Sequence, residues 1–204
     1  MSDSSFPPDT QALLLDVAAA SLAHGVRTGA ALEVLAEDYP EAVRRGGASF
    51  VTLRIGAELR GCIGSMREQS PLVADVAHNA FSAGFRDPRF SPVTADELDA
   101  LSISISVLSP PEPVAVESEL QLLELMREQA HGWILRLGDR RGLLLPAVWE
   151  SIDDPRDFLG HLKAKARFEP EFWSSEIVVE RFAAESFGGE TRKVECGGRK
   201  AESG

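Results

Sequence analysis

Apolar residues recur with two different periods along this chain, and each change of period marks the start of a new element. Leu13, Leu14, Val17 and Ala18 recur at helical spacing behind Asp9 and Thr10, which predicts a capped helix to about Ala23, with Gly25 as its stop. Ala31 to Asp38 reads as a short helix interrupted by Pro40. From Ser49 the period falls to two. Val51, Leu53 and Ile55 alternate with Phe50, Thr52 and Arg54, Gly56-Ala57-Glu58 reads as a hairpin turn, and Leu59 to Ile63 returns as a second strand. The helical period resumes after Ser70-Pro71, with Leu72, Val73, Val76, Ala80 and Phe81 on one arc as far as about Phe85. Asp75, His78, Asn79 and Ser82 form a polar stripe on that helix, ordinarily a solvent face and functional only where it lines a cleft.

Asp87-Pro88-Arg89-Phe90-Ser91-Pro92 cannot continue the helix, because each proline biases its predecessor towards extended backbone. Thr94-Ala95-Asp96-Glu97 has the capping-box pattern and starts a short helix. Between Ser102 and Leu108, Ile103, Ile105 and Val107 alternate with serines as a strand, which Pro110, Pro111 and Pro113 end. Ser118 with Gln121 caps a helix to about Gln129, and residues 132–137 and 143–145 pair as a hairpin across 138–142. Asp154-Pro155 opens a helix carrying Phe158, Leu159, Leu162 and Ala166, and Glu176 to Phe182 is the last strand expected. Strands that come in hairpins, scattered among helices without repeating βαβ units, predict an α+β fold with mainly antiparallel sheets.

At 204 residues, 44% hydrophobic and 26% charged, the chain suits one domain, or one domain with two lobes. Its net charge of −11 argues against a nucleic-acid surface. No apolar run approaches the length of a membrane span and the first residues show no signal pattern, so the cytoplasm is the default expectation. Residues 1 to 8 read as a loose arm. From Gly188 onward glycine and charge dominate, which predicts a disordered tail over 188–204 with Cys196 incidental. The four histidines are isolated, and no group of residues has metal-ligand spacing.

The candidate chemistry lies in Leu59-Arg-Gly-Cys-Ile-Gly64. On the return strand Arg60, Cys62 and Gly64 share one face, placing a thiol near a guanidinium with glycines beside it. A nearby cation favours the thiolate, the reactive form of cysteine. The competing account is a small buried hydrophobe in a hairpin whose glycines permit close packing.

These stretches carry a resemblance. Ser49-Phe-Val-Thr-Leu53, LRGCIG, Asp75-Val76, Asn79-Ala80, Asp87-Pro-Arg-Phe90 and Ile105-Ser-Val-Leu108 resemble the AMMECR family, called AmmeMemoRadiSam system protein A in bacteria. Leu145-Pro146, Val148-Trp149, Phe158-Leu159 and Lys165-Ala166 extend the likeness, making residues 9–187 a single domain. The resemblance implies a larger lobe built from both chain ends, a smaller inserted lobe and a cleft between them. It also implies association with a Memo-type protein and a radical SAM protein, and it names no cofactor or reaction. Two functions follow from it. One is a thiol-dependent enzyme or enzyme component with Cys62 and Arg60 as catalytic candidates and Asp75, Asn79, Asp87 and Arg89 as binding candidates. The other is a non-catalytic partner or scaffold in which LRGCIG is a structural hairpin. The chain departs from the family pattern at Leu162-Lys163 and Lys165-Ala166-Arg167-Phe168, which weakens any case for a second active thiol.

Overall fold

The computed structural model of the chain describes residues 6–66 and 70–191. In order, its elements are α1 (Pro8–Thr28), α2 (Glu41–Arg44), β1 (Ala48–Ile55), β2 (Glu58–Gly64), α3 (Leu72–Phe85), β3 (Leu101–Leu108), β4 (Glu112–Val114), α4 (Glu119–Met126), β5 (Gly132–Leu137), β6 (Arg140–Leu144), α5 (Pro155–Lys165), β7 (Val178–Phe182) and β8 (Ala184–Thr191). The fold is α+β, with two antiparallel four-stranded sheets ordered β2-β1-β3-β8 and β4-β7-β5-β6. Contacts divide it into two units, one containing residues up to Val107 together with those from Glu185, the other Leu108–Ala184.

In the first unit, α1 and α3 cover one face of the sheet. Val51, Leu53 and Ile105 are fully buried there, against Leu14, Ala18 and Leu22 of α1 and Val73, Val76 and Ala80 of α3. The helix α1 runs past its expected stop at Gly25. A Cβ at Gly25 would lie 2.5 Å from the Phe85 ring, so this glycine is the close approach between α1 and α3. The helix ends at Gly29, whose left-handed backbone (φ 72°) lets its N–H reach the Gly25 carbonyl at 2.8 Å. Of the helix expected over 31–38, only Ala36–Asp38 forms a 3₁₀ turn, and upstream of it the Leu32 N–H donates to the Ser21 hydroxyl of α1.

The hairpin β1–β2 closes through the two residues Gly56-Ala57. Gly56 supplies the positive φ that such a turn needs at its first position, as Gly138 does between β5 and β6. The second hairpin is therefore tighter than expected, with Leu137 opposite Arg140.

In the second unit, Trp149 stacks on Phe158 at 3.7 Å over a core with Leu122, Met126 and Leu162. Asp154 caps α5 by accepting the N–H groups of Arg156 and Asp157, and Ser118 caps α4 through Gln121, as the sequence predicts. Lys163 is buried and donates to Glu119 Oε2 at 2.7 Å and to the Pro170 carbonyl at 2.6 Å.

Two strands were not foreseen. One is β4, which pairs with β7 at a sheet edge, the position where Pro113 is tolerated. The other is β8, so Gly188 to Thr191 belong to a strand rather than to the disordered tail. An edge strand is held by backbone hydrogen bonds that ask little of its side chains, so a polar, glycine-rich composition did not reveal it. The N-terminal arm is also tied down at Phe6, whose N–H donates to Glu185 and whose ring tilts against Phe187. The remainder of the tail, with Cys196, lies outside the described residues.

Candidate functional site

Cys62 sits on β2, an edge strand, opposite Thr52 of β1. Alternate residues of an antiparallel strand point their N–H and C=O away from the partner strand. Those of Cys62 point outward and are met by side chains instead of a further strand. Its N–H donates to Asp87 Oδ2 at 2.9 Å, and its carbonyl accepts from Arg89 Nη2 at 3.4 Å. Residues paired in this way have their side chains close together, and Cys62 Sγ lies 3.2 Å from Thr52 Oγ1. The Cys62 side chain is half-buried.

The Asp87-Pro88-Arg89 turn is itself tightly made. Arg89 Nε donates to Asp87 Oδ1 at 2.9 Å, Nη2 to Oδ2 at 2.7 Å, and the Arg89 backbone N–H to Oδ1 at 3.1 Å. The Asp87 side chain is 2% exposed and that of Arg89 54%. The Arg89 guanidinium holds the Asp87 carboxyl well below the usual carboxylate range, with a further contribution from the Cys62 N–H and against the cost of burial. Arg89 is in turn held in its charged form, chiefly by Asp87, and it also interacts electrostatically with Cys62.

Arg60 is positioned differently. The register of β1–β2 shifts beside Arg54, leaving Arg60 as the unpaired residue between Leu59 and Gly61. Its Nε and Nη2 donate to Glu97 Oε1 and Oε2 at 2.7 and 3.1 Å, and Nη2 also reaches the Pro92 carbonyl at 3.3 Å. Glu97 simultaneously accepts the N–H and hydroxyl of Thr94, completing the capping box of the 3₁₀ turn Ala95–Ala100. Arg60 first, and the Thr94 N–H after it, lower the Glu97 carboxyl to about 2. Arg60 therefore fastens the segment after Pro92 to β2. The capping-box signal found Glu97, but nothing in the sequence pointed to its second partner.

Asp75 and Asn79 form a third group, and the expected solvent-facing stripe on α3 is corrected here. Asp75, Asn79 and Ser82 are buried, and only His78 of the four is exposed. Asp75 Oδ2 accepts the backbone N–H and hydroxyl of Ser49 at 2.8 and 2.7 Å, and Oδ1 accepts the Ser65 hydroxyl at 3.2 Å. Asn79 donates to Asp75 and to the Ser49 carbonyl. Burial raises the Asp75 carboxyl, opposed by the Ser49 and Ser65 hydrogen bonds and by His78. The pair joins α3 to the start of β1 and the end of β2. The structure thus brings Cys62, Asp87 and Arg89 together with Thr52, which the sequence reading had left out of the site. It places Arg60 on Glu97, and Asp75 with Asn79 on Ser49.

Among the described residues no group of His, Cys, Asp and Glu is arranged to hold a metal ion, and no helix is long and apolar enough to cross a membrane.

Comparison with known proteins agrees with this architecture. The chain is similar to Protein MJ0810 of Methanocaldococcus jannaschii, 37% identical over 163 residues that cover 76% of this chain and 79% of the relative. A protein of Thermotoga maritima is 41% identical over 155 residues, covering 74% and 83%. The crystal structure of the uncharacterized protein PH0010 from Pyrococcus horikoshii superposes with a TM-score of 0.78 at 31% identity, covering 89% of this chain and 92% of that one. The AMMECR1 family model matches residues 15–187, and the chain belongs to that family.

Proposed function

We propose that Cys62 is a working thiol, a nucleophile or group carrier, and that the chain is an enzyme or a component of one. The observation that carries this reading is the capture of both backbone polar groups of Cys62 by Asp87 and Arg89. That capture fixes a half-buried sulfur beside the Thr52 hydroxyl and within the electrostatic reach of Arg89. The thiolate is the reactive form of cysteine, and the Thr52 hydroxyl and the Arg89 guanidinium are the polar groups this arrangement sets beside Cys62. In this reading Arg89 supplies the cation, Asp87 positions Cys62 and Arg89, and Arg60 acts indirectly by fixing the Glu97 segment. Asp75 and Asn79 hold the ends of the hairpin. Cys62 makes no hydrogen bond to a histidine among the described residues, so its proton leaves to solvent or substrate. The family resemblance adds to the proposal an association with a Memo-type protein and a radical SAM protein in the cytoplasm.

The alternative, a non-catalytic partner or scaffold, is favoured by the packing of Gly61 onto the Ala83 carbonyl and by the engagement of Arg60 with Glu97. Alkylation of the folded chain by iodoacetamide at neutral pH, mapped to Cys62 by peptide mass spectrometry, separates the two. The thiol reading expects modification at least as fast as that of a free thiol, and a Cys62→Ser variant that folds normally. Modification that proceeds only at the rate of unfolding assigns Cys62 to the scaffold.

A further inference from the structure

The donors of Arg89 are unevenly used. Its Nε–H and both hydrogens of Nη2 are directed to Asp87 and to the Cys62 carbonyl. Nη1, which carries two further N–H groups, makes no hydrogen bond among the described residues, and the side chain is 54% exposed. The bonded edge is locked by a carboxylate that is itself 2% exposed, so the open edge is held in a fixed direction rather than sampled by a free side chain. The same guanidinium lies against the backbone of Cys62.

Resting on the thiol reading above, we propose that Arg89 Nη1 receives the carboxylate of a small monoanionic electrophile whose reactive carbon then meets Cys62 Sγ. A monoanion fits better than a dianion such as a phosphomonoester. Nη1 offers two N–H groups on one edge, enough for one carboxylate. Among the described residues no second cation is hydrogen-bonded to Cys62, Asp87 or Arg89, so the further charge of a dianion finds no partner here. An oxyanion on an arginine N–H makes a charge-assisted bond, short and directional enough to orient the carbon next to it.

Iodoacetate and iodoacetamide test this, because they differ only in carrying a carboxylate or a neutral amide. In both, the sulfur forms a bond to carbon, the carbon–iodine bond breaks with iodide leaving, and the thiol proton passes to buffer. The quantity measured is the ratio of the iodoacetate rate to the iodoacetamide rate at Cys62 in the full chain. The reference is the same ratio for the chain unfolded in urea. The folded ratio is expected to exceed the reference by about tenfold, the value of one charge-assisted contact. Acetate added at constant ionic strength is expected to slow iodoacetate and leave the iodoacetamide rate unchanged. Arg89→Gln is expected to bring the ratio back to the reference, and the acetate competition decides the matter should that variant not fold. Ready alkylation by iodoacetamide with a folded ratio equal to the reference overturns the carboxylate site while leaving the thiol reading standing. Resistance of folded Cys62 to both reagents overturns both.

Discussion

Asp87 accepts the backbone N–H of Cys62 at 2.9 Å although the two lie 25 residues apart in sequence. A side chain thereby does what a neighbouring strand would do for the outer edge of β2. Unpaired strand edges invite pairing with other chains, and a charged residue there closes the edge. Because Arg89 grips the same carboxylate, one turn settles the edge, the sulfur and the cation together.

Asp87→Asn is expected to destabilise the protein by about 2–3 kcal/mol, since an amide has one acceptor oxygen where the carboxylate takes N–H groups of Cys62 and Arg89 on two. Its NH2 would face the donors of Arg89 and leave buried groups unpaired. Urea denaturation measures it. A midpoint equal to that of the parent protein would mean that the turn contributes nothing to stability.

Acid should destabilise the fold. Asp87 and Glu97 bind protons more weakly folded than unfolded, so the stability they give is present above the unfolded carboxyl range, about pH 4, and is lost as pH falls, for Glu97 through about 2. Asp75 acts with the opposite sign. Its raised carboxyl costs stability when ionised and returns it as pH falls through the folded pKa, so it offsets part of the loss. The stability lost between pH 7 and about pH 3 should be smaller in Asp87→Asn than in the parent. Equal losses in the two proteins would contradict the assignment of Asp87.

Gly61→Ala places a Cβ 2.1 Å from the Ala83 carbonyl oxygen, so β2 and α3 must separate. The expected cost is about 2–4 kcal/mol, as for other overpacked cores and backbone clashes. Gly160→Ala on the exposed side of α5 meets nothing within 4 Å and should stabilise by up to about 1 kcal/mol through helix propensity. Thermal melts of the two variants that shift in the same direction would show the contact to be easily relaxed.

Ile105→Asp is expected to prevent folding, because the side chain is fully buried and a carboxylate there has no partner. Ser104→Asp should be tolerated, since Ser104 lies on the opposite, partly exposed face of β3. Circular dichroism of the two variants checks the register, and equal stability would mean it is wrong.

The sequence by itself determined the local order of this protein. Alternation in residues 49–55 and 102–108, helical spacing in 72–81, and the caps at Thr94, Ser118 and Asp154 each depend on neighbours a few residues away, and each appears in the structure. Tertiary structure decided whatever depends on distant partners. Gly25 looked like a stop because the approach of Phe85 is invisible along the chain. Asp75 and Asn79 looked solvated because a polar stripe facing a strand has the same spacing as one facing water, and only Ser49 distinguishes them. Arg60 looked like the neighbour of Cys62 by spacing, but a guanidinium on a long side chain goes to the carboxylate it can reach, which is Glu97. The cation beside Cys62 comes instead from Arg89, 27 residues away, because a proline turn after α3 returns to the open edge of β2.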